Sequence, residues 1–156
     1  MAKKTSQDAP AATAELDERS TTAAPAAPED LPVRPGEDPW SAQEIEEART
    51  ALTEESERLR GEIAASEEVL AGLLRDGEGT GDEADTGTAN ISREHEMALA
   101  SGARERLEQS ERALARIDAG TYGRCESCGN AIGKARMQAF PRATQCVDCK
   151  QRQERR

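Results

Sequence analysis

The four cysteines of this chain form two Cys-x-x-Cys pairs, Cys125 with Cys128 and Cys146 with Cys149, separated by 17 residues. A gap of two residues lets both sulfurs of a pair face one point, and zinc takes four sulfurs in a tetrahedron at about 2.3 Å. Gly129 follows the first pair directly and suits a tight turn that needs positive φ. Four thiolates leave no open coordination position, so the spacing predicts one structural zinc ion without a catalytic role.

Three other interpretations of the cysteines remain open. Disulfides require an oxidising compartment, and redox catalysis by one pair leaves the other pair unexplained. Iron can occupy the same cage of sulfurs. Between the two pairs, four residues are predicted to form a miniature core: Ile132, Met137, Phe140 and Pro141.

The composition excludes a large globular core. Of 156 residues, 35% are hydrophobic, 2% are aromatic and 33% are charged, so order must come from a long helical pair or a metal. The formal net charge of -10 is unevenly distributed, with 20 acidic and 9 basic residues in 40–120 but 3 acidic and 8 basic residues in 121–156. The acidic body argues against wrapping along nucleic acid. The basic end offers candidate partner contacts at Lys150, Arg152, Arg155 and Arg156.

No stretch of about 18 apolar residues and no secretory signal is found in the sequence. We therefore expect a cytoplasmic protein, in a compartment where thiols are normally reduced.

Residues 1–39 contain six of the seven prolines and many Ala, Thr and acidic residues, which predicts a disordered acidic tail. Order is expected to begin at Trp40, because Ser41 and Glu44 form a capping box. A first helix should continue to about Arg75, and its apolar stripe is predicted at Ile45, Ala48, Leu52, Leu59, Ile63, Leu70 and Leu73.

Residues 76–88 hold four glycines and five carboxylates, which predicts an acidic loop. A second helix is expected from about Ala89 to Ala119, ending at Gly120. Its stripe is predicted at Ile91, His95, Leu99, Ala103, Leu107, Ser110, Leu114 and Ile117, with Ser66, Gly102 and Ser110 as interruptions of the two stripes. His95 is interpreted as a packing position.

Two helices that each carry a thin apolar stripe and are joined by a short loop should pack against each other along their length. The sequence therefore predicts a mainly α protein, with a long antiparallel helical hairpin (a coiled coil) over 40–120 and its acidic tip at 76–88. A small four-cysteine zinc finger and a basic C-terminal helix are predicted to occupy 121–156.

The segment from Tyr122 to Gly129, with Ile132-Gly133, Pro141 and the run from Cys146 to Lys150, resembles the zinc finger of the DksA/TraR family. The hairpin also fits, and the run from Asp82 to Asp85 resembles the family's D-x-x-D-x-A tip motif. The resemblance implies a bacterial transcriptional regulator that binds RNA polymerase and inserts its coiled coil into the secondary channel. It also implies that Asp82 and Asp85 are the effector side chains.

The chain departs from the family pattern at the tip and beside the finger. The tip alanine falls at Gly87, which is more flexible and implies a weaker tip effect. Members that respond to ppGpp carry basic residues at positions that match Gln109 and Phe140 here, and only Lys150 keeps the basic character. Strong ppGpp dependence is therefore not expected.

The sequence favours a monomeric, non-enzymatic regulator that has RNA polymerase as its partner. The glycines of the tip lack a Walker lysine and a preceding strand, which argues against an enzyme. Sequence-specific DNA binding is not expected. The alternative is a nucleic-acid-binding zinc protein that acts through its basic C-terminal end.

Overall fold

The computed structural model describes residues 27–76 and 83–155, with the backbone alone for residues 83–85. A short 3-10 helix, Pro28–Asp30, is followed by α1 (Ala42–Asp76), α2 (Glu83–Asp118), α3 (Lys134–Ala139) and α4 (Val147–Glu154). Within these ranges there is no β-strand, only one isolated bridge between Arg124 and Ala131. The predicted mainly α fold with a helical hairpin is confirmed. None of the described helices combines the length and the apolar character needed to cross a membrane.

Ion pairs along one flank of the hairpin show that α1 and α2 are antiparallel. Arg49 pairs with Asp118 at 2.7 Å, Arg60 with Glu111 at 2.6 Å, and Glu67 with Arg104 at 2.6 Å. As the α1 partner advances along the chain, the α2 partner moves back towards the start of its helix. These pairs are solvent-exposed and each contributes at most about 1 kcal/mol, so they set register more than stability.

The seam between the helices is filled largely by small residues. Leu52, Ser56 and Leu59 of α1 are buried, and so are Ala100, Ala103 and Ser110 of α2. The buried hydroxyls of Ser56 and Ser110 donate to the carbonyls four residues earlier, at 2.7 and 3.1 Å. Ser66 and Ser110, predicted as interruptions, are instead buried within the seam because small side chains let the two backbones approach.

The predicted seam of α2 is wrong in its distal half. Ile91 and Leu99 are 70% and 49% exposed, and His95 is exposed as well. The predicted residues follow steps of four, and each such step turns the stripe about 40° further around a helix of 3.6 residues per turn. The observed seam alternates steps of four and three, as in a coiled coil, and therefore passes through Ala100 and Ala103.

The predicted acidic loop is shorter than its expected span of 76–88. Asp76 ends α1 and Glu83 begins α2, so residues 83–88 are helical and the second helix begins earlier than Ala89. Acidic residues in a first helical turn are favoured by the helix dipole, and Glu83 and Asp85 occupy this turn. The glycine at position 87 is accommodated inside α2.

The predicted tail boundary at residue 39 is also corrected. Residues 27–40, which we call the strap, are ordered against the finger, and Leu31 is 4% exposed. The Glu37 carboxylate accepts a hydrogen bond from the backbone N–H of Lys134 at 3.1 Å, and Trp40 Nε1 donates to the Pro32 carbonyl at 3.4 Å. Prolines fix φ and reduce the entropy lost when such a segment becomes ordered. The predicted disorder of residues 1–26 lies outside the described residues.

Aromatic residues from the strap and the finger build the core at the base of the hairpin. Trp40 and Tyr122 are buried with their ring centroids 5.9 Å apart, and Ile132 and Met137 are each 1% exposed. The prediction that Phe140 joins this core is wrong, because its side chain is 60% exposed. Trp40 and Tyr122 fill the core of the base, while Phe140 lies at the C-cap of α3.

Candidate metal centre and hairpin tip

Two backbone turns bring the cysteine pairs together. In the first, the Gly129 N–H donates to the Cys125 carbonyl at 2.9 Å, and Gly129 adopts φ 77°, the left-handed conformation expected for it. In the second, Cys146 is the N-cap of α4 and Cys149 lies in its first turn. The Cys125 N–H donates to the Asn130 carbonyl at 2.8 Å and closes the first turn.

The four sulfurs fit one tetrahedral zinc ion. All four lie within 4.8 Å of one another, and the sulfurs of Cys128 and Cys146 are 3.9 Å apart. A tetrahedron with metal–sulfur bonds of about 2.3 Å has edges of about 3.8 Å, close to that separation. Cys125, Cys146 and Cys149 are buried, whereas Cys128 is exposed, and all four are free thiols. The donor set is a site for one structural zinc ion, and its four thiolates fill the coordination sphere.

Backbone N–H donors favour the thiolate of Cys125, whereas neighbouring sulfurs disfavour the thiolate of Cys128. Burial disfavours the Cys125 thiolate, but the backbone N–H groups of Cys146, Cys128 and Ser127 outweigh burial and lower its pKa to about 6. The Asn130 N–H lowers the pKa of Cys128, yet the sulfur of Cys125, burial and the other sulfurs together raise it to about 11. Such a cluster retains protons that a bound zinc ion displaces.

Two of the basic residues at the C-terminal end, Lys150 and Arg152, already have partners within the protein. Arg152 Nη2 lies 3.0 Å from the sulfur of Cys149, and its Nε donates to the Asp148 carbonyl at 3.3 Å. Lys150 lies 3.8 Å from Glu154 and keeps half of its side chain exposed. Arg155 is exposed, and Arg156 lies outside the described residues. Arg152 therefore contacts the metal centre, and its position three residues after Cys149 on α4 was the signal in the sequence.

Two of the three candidate effector residues, Asp85 and Gly87, lie at the start of α2. Asp82 lies outside the described residues. Asp85 belongs to the first turn of α2, where the structure describes the backbone alone, and Gly87 is exposed in the second turn. The Gly87 position has room for a side chain, because a Cβ placed there meets nothing within 4 Å.

Sequence reasoning missed the residues that join the hairpin to the finger. The predicted capping box is present, with the Ser41 N–H donating to Glu44 at 2.8 Å and the Glu44 N–H to Ser41 at 3.1 Å. The same Glu44 carboxylate pairs with Lys134 at 2.8 Å, and the lysine together with Ser41 lowers the pKa of Glu44. The apolar residues Leu31 and Val33, among the few in an Ala- and Pro-rich tail, were the signal that this segment packs.

Known proteins resemble this chain in its finger and also over a longer part of its fold. Residues 120–155 match the model of the prokaryotic dksA/traR C4-type zinc finger. A solved structure, that of transcription factor DksA2 from Pseudomonas aeruginosa, superposes with a TM-score of 0.63 at 29% identity. That superposition covers 74% of this chain and 86% of the other.

Relatives that carry the name RNA polymerase-binding transcription factor DksA match the sequence. The protein from Caulobacter vibrioides is 34% identical over 94 residues, which cover 60% of this chain and 66% of the relative, just under two thirds of its length. The protein from Escherichia coli K12 is 39% identical over 59 residues, 36% of this chain and 39% of that one. The four cysteines therefore lie within a match to the C4-type zinc finger of dksA/traR proteins, and the superposition on DksA2 extends well beyond the finger.

Proposed function

We propose that this protein is a transcriptional regulator that binds RNA polymerase directly and inserts the tip of its hairpin into the secondary channel to modulate initiation. One observation carries the proposal: helices of 35 and 36 residues separate the zinc finger from an acidic connection. Each helix is about 50 Å long at 1.5 Å per residue, so this rod can carry carboxylates deep into a narrow opening. The names of the relatives support polymerase as the partner.

In this proposal Asp82 and Asp85 are the effectors. Near a polymerase active site, carboxylates can perturb bound metal ions or mobile catalytic elements through their charge. Gly87 makes the first helical turns beside them more flexible than an alanine would, which weakens the effect. The basic residues Lys150, Arg152, Arg155 and Arg156 are the proposed contacts to acidic surface on the polymerase, and exposed Arg155 and half-exposed Lys150 support this proposal.

The proposed regulator is a cytoplasmic monomer without enzymatic activity or strong dependence on ppGpp. The closed set of four thiolates supports a structural metal rather than a catalytic one. Exposed Phe140 supports weak ppGpp dependence, because an aromatic side chain stands where responsive members carry a cation.

The decisive experiment combines binding and transcription. We expect the purified protein to co-migrate with core RNA polymerase and to change promoter output in vitro. Asp82→Asn with Asp85→Asn should keep the binding and lose the effect on transcription. The matched control is Glu46→Gln with Glu57→Gln, which removes two exposed carboxylates from α1 and should behave as wild type. Unaltered transcription with the tip variant would show that the effector residues lie elsewhere.

The basic end supports nucleic-acid binding as the second candidate. Residues 121–156 hold 8 basic and 3 acidic residues. This alternative predicts a shift of duplex DNA in the absence of polymerase, with affinity that falls steeply as salt rises. The acidic rod opposes it, because residues 40–120 carry 20 acidic side chains against 9 basic ones.

A further inference from the structure

Both helices of the rod become uncharged at the same level, just below the tip. We call residues 69–74 of α1 and 97–103 of α2 the uncharged collar; neither run contains a charged side chain. In α1 before residue 69, and in α2 after residue 103, no uncharged run exceeds four residues. The antiparallel register places the two runs beside each other, within about 10 Å of the last residue of α1 at 1.5 Å per residue.

The collar interrupts the ladder of ion pairs on one flank of the rod. The pairs Arg60–Glu111 and Glu67–Arg104 are spaced by seven residues on each helix. One further step of seven leads to Leu74 on α1 and Met97 on α2. The positions that hold ions lower on the rod therefore hold two apolar residues in the collar, and these are 57% and 56% exposed.

Packing of the hairpin does not explain these side chains. The seam in this region is built by Ala100 and Ala103, which are buried, whereas Val69 and Leu99 are nearly half exposed. Gly102 of the collar could carry a side chain, since a Cβ there meets nothing within 4 Å. Large apolar side chains exposed together on a highly charged protein are typical of a docking surface.

We propose that the uncharged collar docks against an uncharged, apolar surface of RNA polymerase; this inference rests on the function proposed above. A rod that enters a narrow opening loses water from its flanks, and desolvation of an ion costs far more than desolvation of a leucine or methionine. The collar avoids that cost at its own level of the rod and leaves the carboxylates of residues 76–85 in place.

A second copy of this chain is a poorer occupant of the collar. Residues 40–120 carry 20 acidic and 9 basic side chains, so two rods lying side by side repel each other. Four exposed apolar side chains also provide less area than the roughly 800 Å² per partner of a standard stable interface.

The test restores charge to the collar and keeps the hairpin intact. Leu74→Glu combined with Met97→Arg repeats the orientation of the neighbouring Glu67–Arg104 pair, so helicity and melting temperature should match the wild type. Affinity for core polymerase should fall at least about tenfold, because both ions must be desolvated on docking. The matched control, Ala64→Glu with Ala115→Arg, adds the same charges at exposed rod positions outside the collar and should keep its affinity.

The outcomes separate this inference from the proposed function. If the wild type binds and the collar variant binds equally well, the collar is overturned and the proposed function stands. If the wild type does not bind polymerase, both are overturned. Dimers of the wild type that the collar variant abolishes in sedimentation would overturn the choice of partner.

Oxidation of Met97 by hydroxyl radicals gives a second readout on the wild type. The side chain should be protected in the complex, and unchanged oxidation would contradict docking at the collar.

Discussion

At the scale of single residues, the cysteines are the most predictable part of the molecule. Their spacing alone indicated a four-sulfur site, and the sulfurs lie within 4.8 Å of one another. Which groups surround the four sulfurs could be learned only from the structure. Arg152 follows Cys149 by three residues on α4, which places the two side chains on one face of the helix, and the structure shows that they meet. Phe140 was misplaced because hydrophobicity predicts burial without saying which aromatic residue fills a small core.

Metal content tests the residue-scale assignment. We expect one zinc ion per chain, and Cys149→Ser should lose it because three thiolates leave the tetrahedron incomplete. The finger should then unfold, lowering the melting temperature and exposing Trp40 to fluorescence quenchers. Elemental analysis and thiol titration measure the outcome.

The neighbouring substitution Val147→Ser is the control for the zinc experiment. It introduces the same residue beside the site, at a side chain 39% exposed, and should retain the metal. Iron in place of zinc, or four thiols that cannot be titrated under denaturing conditions, would contradict the assignment.

At the scale of elements, the two long helices follow from local signals and their exact register does not. The capping box and the absence of proline fixed the start of α1, and the ion pairs and small seam residues fixed its pairing with α2. Periodicity assigned the proximal stripe of α2 correctly and failed beyond Ala103. In the collar, Ala100 and Ala103 are buried in the seam while Leu99 and Met97 of the same helix are exposed, so hydrophobic pattern alone could not separate the two sets.

Glycine in α1 offers a test of the stability of the rod. Gly61 is exposed, and a Cβ added there meets nothing within 4 Å. We expect Gly61→Ala to raise the free energy of unfolding by about 0.5–1 kcal/mol, because alanine loses less backbone entropy on forming a helix. Urea denaturation followed by circular dichroism measures the change.

Gly129 provides the contrasting substitution. Its φ of 77° lies in the left-handed region, so Gly129→Ala should destabilise the first cysteine turn by about 1–2 kcal/mol although nothing lies within 4 Å of the added Cβ. Destabilisation by Gly61→Ala would show that the rod is bent or strained near residue 61.

At the scale of the whole molecule, the strap, the hairpin and the finger share one core. Leu31, Trp40, Ile45, Ile117 and Tyr122 come from all three parts and belong to the same buried cluster. The Glu44–Lys134 pair and the hydrogen bond from the Lys134 N–H to Glu37 connect the parts at its edge. The base therefore orients the rod, and the direction of the tip depends on segments far apart in the chain.

Truncation of Leu31 measures the contribution of the strap. Leu31 is 4% exposed, and we expect Leu31→Ala to cost about 2–4 kcal/mol of stability through lost burial and the cavity left behind. The melting temperature measures this loss. Leu74→Ala makes the same chemical change at a side chain 57% exposed, and it should cost far less. Equal effects of the two substitutions would mean that the strap does not stabilise the base.

The sequence by itself determined the metal site, the two helices, the acidic connection between them and the family resemblance. These features depend on local spacing, capping and charge, which a linear pattern records directly. Only the tertiary structure decided that residues 27–40 are ordered, that Trp40 packs on Tyr122, and that Leu74 and Met97 are exposed rather than buried in the seam. Those features depend on which distant surfaces meet, and the physical reason is packing: burial and register are set by the partner surface as much as by the residue itself.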